Sequence, residues 1–306
     1  MRPEPAPHAP NEIAPSRARL WFEASRPRTL PASLAPVAIG VTLAFADGAA
    51  HWPAAAAALL GAALIQIGAN YANDYYDFVK GADTAARAGP RRLTQSGLAS
   101  PQTMKRAAML VFGLATLVGV YLVARGGAPI LAVGLASLLC GVIYTGGPFP
   151  LGYRGLGDVF VLAFFGPIAV AGTYWVQALE MDWRPIAAGL GPGLISTAIL
   201  AVNNLRDVDT DRIADKRTLA VRLGPGFARW EYAVCMSLAL ASPLIFWAAG
   251  AAGPGMLLPL LAAPYAFRVG MTVWTRRDGP ALNGALADTG KALMLYAALF
   301  CVGWLI

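Results

Sequence analysis

The sequence predicts an all-α, polytopic membrane protein: nine transmembrane helices in a bundle around a central cavity, with the N-terminus cytoplasmic. Three observations carry that expectation. Only 41 of 306 residues are charged, 24 basic and 17 acidic, or 13%, whereas an ordinary soluble domain carries about 25%. Hydrophobic residues make up 57% and the mean hydropathy is +0.54. That much apolar surface cannot be hidden inside a soluble globule with so few charges to cover it, and disorder is excluded for all but the termini. The third observation is a series of apolar stretches close to the roughly 20 residues a bilayer crossing needs.

Residues 1–20, with five prolines, three arginines and no apolar run of leader length, read as a disordered cytoplasmic tail rather than a signal peptide. Residues 21–306 read as one transmembrane domain. The predicted spans are 29–46, 53–76, 104–124, 128–146, 157–178, 185–205, 229–250, 254–275 and 286–306. A Gly-Gly-Ala-Pro turn at 126–129 separates the third from the fourth. Pro167, Pro243, Pro259 and Pro264 are expected to kink their helices, which neighbouring helices can tolerate by re-satisfying the freed carbonyls. Trp21, Trp52 and Trp183 suit interface anchors. Cys140, Cys235 and Cys301 are isolated, and His8 and His51 are the sole histidines, so neither a disulfide framework nor a thiolate or imidazole metal site is expected.

Basic residues orient the chain. With the N-terminus inside, 22 of 24 cations fall on one side and only Arg125 and Arg184 on the other, as the excess of cytoplasmic Lys and Arg requires. The net charge of +7 is therefore explained by topology, and nucleic acid is not an expected partner.

Two connections on the cytoplasmic side stand apart. The second span ends in Asn70, Asn73, Asp74 and Asp77, followed by Lys80 and Asp83. The sixth ends in Asn203, Asn204, Asp207 and Asp211, followed by Asp215 and Lys216. Spacings of three, four and seven place each acidic set on one helix face. Carboxylates crowded at helix C-termini, the negative pole of the helix dipole, repel one another unless a cation compensates them. The all-oxygen donor set favours Mg²⁺, which is held by one or two carboxylates plus substrate phosphates. The adjacent Lys80, Arg91, Arg92, Arg206, Lys216 and Arg217 suit phosphate oxygens. A diphosphate bridged by magnesium at the cytoplasmic mouth of the bundle is the expected ligand. A transporter would place such carboxylates nearer the bilayer midplane.

Six stretches in order resemble the UbiA superfamily of intramembrane prenyltransferases: Arg26-Pro-Arg-Thr-Leu-Pro, Asn73 to Asp83, Gly89 to Gly97, Tyr144-Thr-Gly-Gly-Pro, Gly152-Tyr-Arg-Gly-Leu-Gly-Asp158, and Asn203 through Gly224. The Gly81-Ala82 insertion before Asp83 is similar to the dihydroxynaphthoate branch rather than the hydroxybenzoate one. The resemblance implies transfer of a polyprenyl group from an allylic diphosphate to 1,4-dihydroxy-2-naphthoate with loss of carbon dioxide, 4-hydroxybenzoate being the alternative acceptor. It implies Asn73, Asp77, Asp207 and Asp211 as the catalytic metal–diphosphate set, with Asp74 and Asp83 as further metal ligands. Arg26, Asn70, Lys80, Arg91, Arg92, Tyr144, Asn203, Asn204 and Lys216 are the implied substrate-binding residues. It further implies Mg²⁺ as cofactor, membrane lipid as surroundings, and a bacterial inner-membrane location with the site facing the cytoplasm. Decarboxylation can restore aromaticity, so a strong protein base is not obligatory. One departure stands out: Asp215 occupies a position that is usually Gly in that branch. Oligomeric state is left open.

Overall fold

Residues 16–82, 89 and 92–306 are described by the computed structural model, and every regular element among them is helical. The short α1 (Arg17–Ala24) leads into α2 (Leu30–Ala46), α3 (Trp52–Val79) and the long α4 (Pro101–Ile143). Then follow α5 (Gly157–Phe164), α6 (Pro167–Ala178), α7 (Trp183–Ala188), α8 (Leu190–Arg206), α9 (Val208–Ile213) and α10 (Leu219–Leu223). The chain closes with α11 (Pro225–Ala241), α12 (Leu244–Ala248), α13 (Ala263–Thr275) and α14 (Gly279–Leu305).

Local chemistry sets these boundaries. His51, Ser100 and Asp278 cap the starts of α3, α4 and α14 by accepting the N–H three residues on, which satisfies donors a helix start leaves open. The predicted proline kinks are helix breaks: Pro167 opens α6 after α5, Pro243 divides α11 from α12, Pro259 sits in a 3-10 stretch, and Pro264 opens α13.

Eight candidate membrane spans occur among the described residues, against nine apolar segments in the sequence. The difference lies in α4. Its 43 residues would make a rod of about 65 Å at 1.5 Å per residue, twice the ~30 Å hydrocarbon core. Gly127 breaks it, with φ 68° and ψ −154°, a left-handed conformation open to glycine. Beside the break Arg125 donates to the carbonyls of Val176 and Gln177, and Trp175 donates to that of Gly126 at 2.8 Å. The break is thereby docked on the end of α6.

Burial separates the middle of the bundle from its rim. The span containing α7 and α8 is 72% buried, whereas α4 is 11% buried and exposes Leu110, Leu117, Val120 and Leu135. The main core joins α2, α8, α11 and α14 around Tyr296, Phe300, Ile39 and Ile195. Close approach at the start of α8 depends on glycine: a Cβ on Gly189 would run into Pro167. A smaller cluster of Tyr71, Ala72, Leu93 and Met104 holds α3 against α4 and the loop after α3.

Candidate active site at the acidic helix ends

Both acidic helix ends lie at the same end of the bundle. In the first, Asp77 sits on the last turn of α3 with its carboxylate buried. Arg92 Nη2 reaches Asp77 Oδ2 at 2.8 Å, and the two side chains are 6% and 5% exposed. The Tyr153 hydroxyl donates to Asp77 Oδ1 at 2.9 Å. Asn73, one turn earlier, accepts from Thr145 Oγ1 at 2.8 Å. Lys80 donates to the carbonyls of Thr145 and Gly147 and stands 4.8 Å from the centre of the Tyr153 ring. Burial lowers the Lys80 ammonium from its ordinary value, with Asp77 opposing the shift.

The second end runs from α8 into α9 with little interruption, since Asp207 and Asp211 N–H groups still donate four residues back. Arg206 forks onto Asp207, with Nε to Oδ1 at 2.8 Å and Nη2 to Oδ2 at 2.6 Å. The same guanidinium reaches Asn203 Oδ1 and, across on α14, Asn283 Oδ1, both at 2.8 Å. Lys216 Nζ lies 3.5 Å from Asp211 Oδ1 and 5.6 Å from the centre of the Tyr153 ring. Asn204 is buried.

Tyr153 therefore joins the two ends. Its hydroxyl holds Asp77, its ring lies between Lys80 and Lys216, and its carbonyl accepts the Arg217 N–H at 3.0 Å. Tyr144 completes the centre. Its ring packs against Gly152, and its hydroxyl meets the start of α5 at Gly157. Tyr153, bonded to Asp77 and beside the Lys216 that pairs with Asp211, brings the two ends to a common space. The predicted convergence of the two acidic ends is a feature of the fold.

Not every predicted residue faces that space. Asp74 turns to the loop after α3 and accepts the N–H groups of Leu93 and Thr94 at 3.1 and 3.3 Å. Asn70 donates to the Ser25 carbonyl at 2.9 Å, tying down the turn before α2. Arg26 occupies that turn with φ 54°. Both Asp74 and Asn70 position the frame of the site. Asp83 and Arg91 lie outside the described residues. Sequence reasoning assigned no role to Tyr153 or Asn283: neither carries charge, and both act across more than 70 residues of chain.

The residues fit a divalent cation that arrives with its substrate better than one caged by protein. Among the described residues no three His, Cys, Asp or Glu side chains gather tightly enough to hold a metal on their own. One or two carboxylates per ion, the rest supplied by phosphate and water, is the ordinary pattern for Mg²⁺.

Eight helices among the described residues are long and apolar enough to cross a membrane, and two acidic helix ends meet around Tyr153 at one end of the bundle, which defines an integral membrane protein with a polar site at that end. The UbiA prenyltransferase family profile matches residues 33–295, and the chain belongs to that family. It is 43% identical over 277 residues to the 1,4-dihydroxy-2-naphthoate octaprenyltransferase of Mycobacterium tuberculosis, covering 90% of this chain and 94% of that one. It is 38% identical over 294 residues to the protein of that name in Escherichia coli, covering 94% and 96%. Its fold is similar to a UbiA homologue from Archaeoglobus fulgidus bound to GPP and Mg²⁺, with TM-score 0.67 and 15% identity, covering 94% of this chain and 99% of the other.

Proposed function

We propose that this chain transfers a polyprenyl group from an allylic polyprenyl diphosphate to 1,4-dihydroxy-2-naphthoate, releasing diphosphate and carbon dioxide and giving demethylmenaquinol. The observation that carries the reading is the pairing of Asp77 and Asp211 ends through Tyr153, with Lys80, Lys216 and Arg92 close by. The names of the relatives supply the acceptor. The charge distribution supports nine crossings, counting the two limbs of α4 separately, with the acidic ends at the cytoplasmic face of the inner membrane. In support, Arg125 and Arg184 bind partners at the other end: Val176 and Gln177 for the first, Asp47 and Asp182 for the second.

Asn73, Asp77, Asp207 and Asp211 would hold Mg²⁺, with Asp83 as a further ligand and Asp74 bracing the loop. When bound, Mg²⁺ neutralises charge building on the departing diphosphate. The chain's own cations add to that. Lys80, Arg92 and Lys216 would grip phosphate oxygens from fixed positions, so little reorganisation accompanies charge separation, and Arg91 is a further candidate for the same role. Tyr144, half-buried against Gly152 and Gly157, would shield an allylic cation from water, its ring face being attractive to positive charge. The prenyl tail is too apolar for water.

The test is an acceptor panel with purified protein in lipid nanodiscs. Dihydroxynaphthoate is expected to be prenylated in preference to 4-hydroxybenzoate, with EDTA abolishing turnover and Mg²⁺ restoring it. A reverse preference, or turnover indifferent to chelation, would overturn the reading.

A further inference from the structure

Asp158 is absent from the metal–diphosphate set, yet it is buried in the first turn of α5, 7% exposed. Its carboxyl lies within hydrogen-bonding reach of that of Glu231 on α11. Two carboxylates have no donor between them, so a hydrogen bond joining two carboxyl groups requires one shared proton and leaves one negative charge. The Asp158 Oδ1 atom has no hydrogen-bond partner among the described residues. A carboxylate oxygen buried without a donor is costly and marks a place where a donor belongs.

Its position relative to the site follows from α8. A Cβ on Gly157 would stand 2.9 Å from the Tyr144 hydroxyl and 3.4 Å from Leu200 Cδ2, so α5 begins against the central phenol and against Leu200. Ser196 shares the helix face of Leu200, four residues away, and that face continues through Asn203 to Asp207. The Ser196 hydroxyl is also buried, 3% exposed, and likewise lacks a partner. Two unpartnered polar side chains thus lie on the membrane side of the acidic tips: Asp158, next to Gly157 at the level of Leu200, about two turns before Asp207, and Ser196 about three turns before it. That is the side from which an acceptor ring would approach. The diphosphate is held at the tips and the allylic C1 lies on its apolar side, so the attacking carbon approaches from deeper still.

We propose that Asp158, with Glu231 holding the shared proton, is the proton acceptor for the hydroxyl of the aromatic substrate; this rests on the prenyl-transfer reading above. The proton on the hydroxyl beside the carboxylate-bearing carbon passes to Asp158. The electron pair released forms the bond from that carbon to C1, and the C1–O bond breaks with its pair leaving on diphosphate. The ring oxygen is now a ketone β to the carboxylate. Loss of carbon dioxide returns the pair to that oxygen as a naphtholate, which recovers the proton from Asp158. Nothing is oxidised or reduced overall, and the pair ends as it began.

The groups facing Asp158 are Glu231 and Cys235 from α11 and Tyr144 from the end of α4. The experiment compares wild type, Asp158→Asn, Glu231→Leu and Glu231→Gln in nanodiscs. It measures steady-state prenylation of dihydroxynaphthoate from pH 7 to 9 and Mg²⁺-dependent binding of geranyl thiodiphosphate. Asp158→Asn is expected to lose on the order of 10²-fold in turnover while binding geranyl thiodiphosphate within about threefold of wild type. Its residual rate should climb by about tenfold per pH unit, as the acceptor hydroxyl ionises unaided. Glu231→Leu should fall similarly, and Glu231→Gln, which keeps a donor toward Asp158, should recover most of that loss. Retention of half the turnover by Asp158→Asn, or an equal loss of turnover and of thiodiphosphate binding, would overturn the role of Asp158 alone. A wild type that prenylates no hydroxyarene would remove the parent reading and this one together.

Discussion

Arg92→Leu isolates the buried ion pair on which the first acidic end is built. Arg92 and Asp77 meet at 2.8 Å with about one-twentieth of either side chain exposed. Removing one partner of a buried pair costs about 3–5 kcal/mol, because the other charge is left in a poorly solvating interior. Here the Tyr153 hydroxyl still reaches Asp77 Oδ1 at 2.9 Å, and a hydrogen bond to a charged group contributes about 1.5–3 kcal/mol. The expected loss is thus near the lower limit, about 3 kcal/mol. Replacing both residues, as Arg92→Leu with Asp77→Leu, removes the stranded charge and should recover about 2 kcal/mol of it while leaving the protein inactive. Reversible unfolding in mixed micelles measures each variant, and the cycle gives the coupling. A single-variant cost below about 1 kcal/mol, or strict additivity in the double variant, would refute the reasoning.

Other substitutions separate the site from its supports. Tyr153→Phe removes the hydroxyl from Asp77 and keeps the ring between Lys80 and Lys216; steady-state kinetics should show kcat/KM for prenyl diphosphate falling by about tenfold or more, the equivalent of ~1.5 kcal/mol. Arg184→Leu breaks the contacts to Asp47 and Asp182 at the opposite end; unfolding measurements should show about 1.5–3 kcal/mol lost with turnover within twofold of wild type. Asp215→Gly replaces a residue held at φ 51° and gives up only an exposed pair with Arg217. Left-handed backbone penalises L-residues and exposed pairs contribute little, so stability should hold or rise by up to about 1 kcal/mol.

Much of the site is legible because carboxylates at helix C-termini in an otherwise apolar chain are anomalous. Hydropathy exposes the helices, and the spacing of Asp77, Asp207 and Asp211 exposes the faces they share. What the spacing leaves unresolved is finer. Asn73 and Asp74 are adjacent in sequence, so they project about 100° apart on the helix; one meets Thr145 at the centre while the other straps the loop at Leu93 and Thr94. Asn70 leans the same way as Asp74 and is taken by Ser25. A broad polar face thus divides between chemistry and scaffolding according to what packs beside it. Tyr153 and Asn283 escape altogether, because their partners are set by helix packing rather than by local pattern. The break in α4 is anticipated by the Gly-Gly-Ala-Pro turn, while its docking through Arg125 and Trp175 depends on α6. The left-handed backbone at Asp215 is likewise set by the turn after α9, and glycine would adopt it without strain.

The central claim, that both helix ends hold one diphosphate, is tested most directly by calorimetric binding of geranyl thiodiphosphate with Mg²⁺ to wild type, Asp77→Asn, Asp211→Asn and the double variant. Shared binding predicts strong loss in each single variant and little further loss in the double, a coupling above about 1 kcal/mol. Free-energy losses that simply add, or a single variant that binds as wild type does, would contradict it.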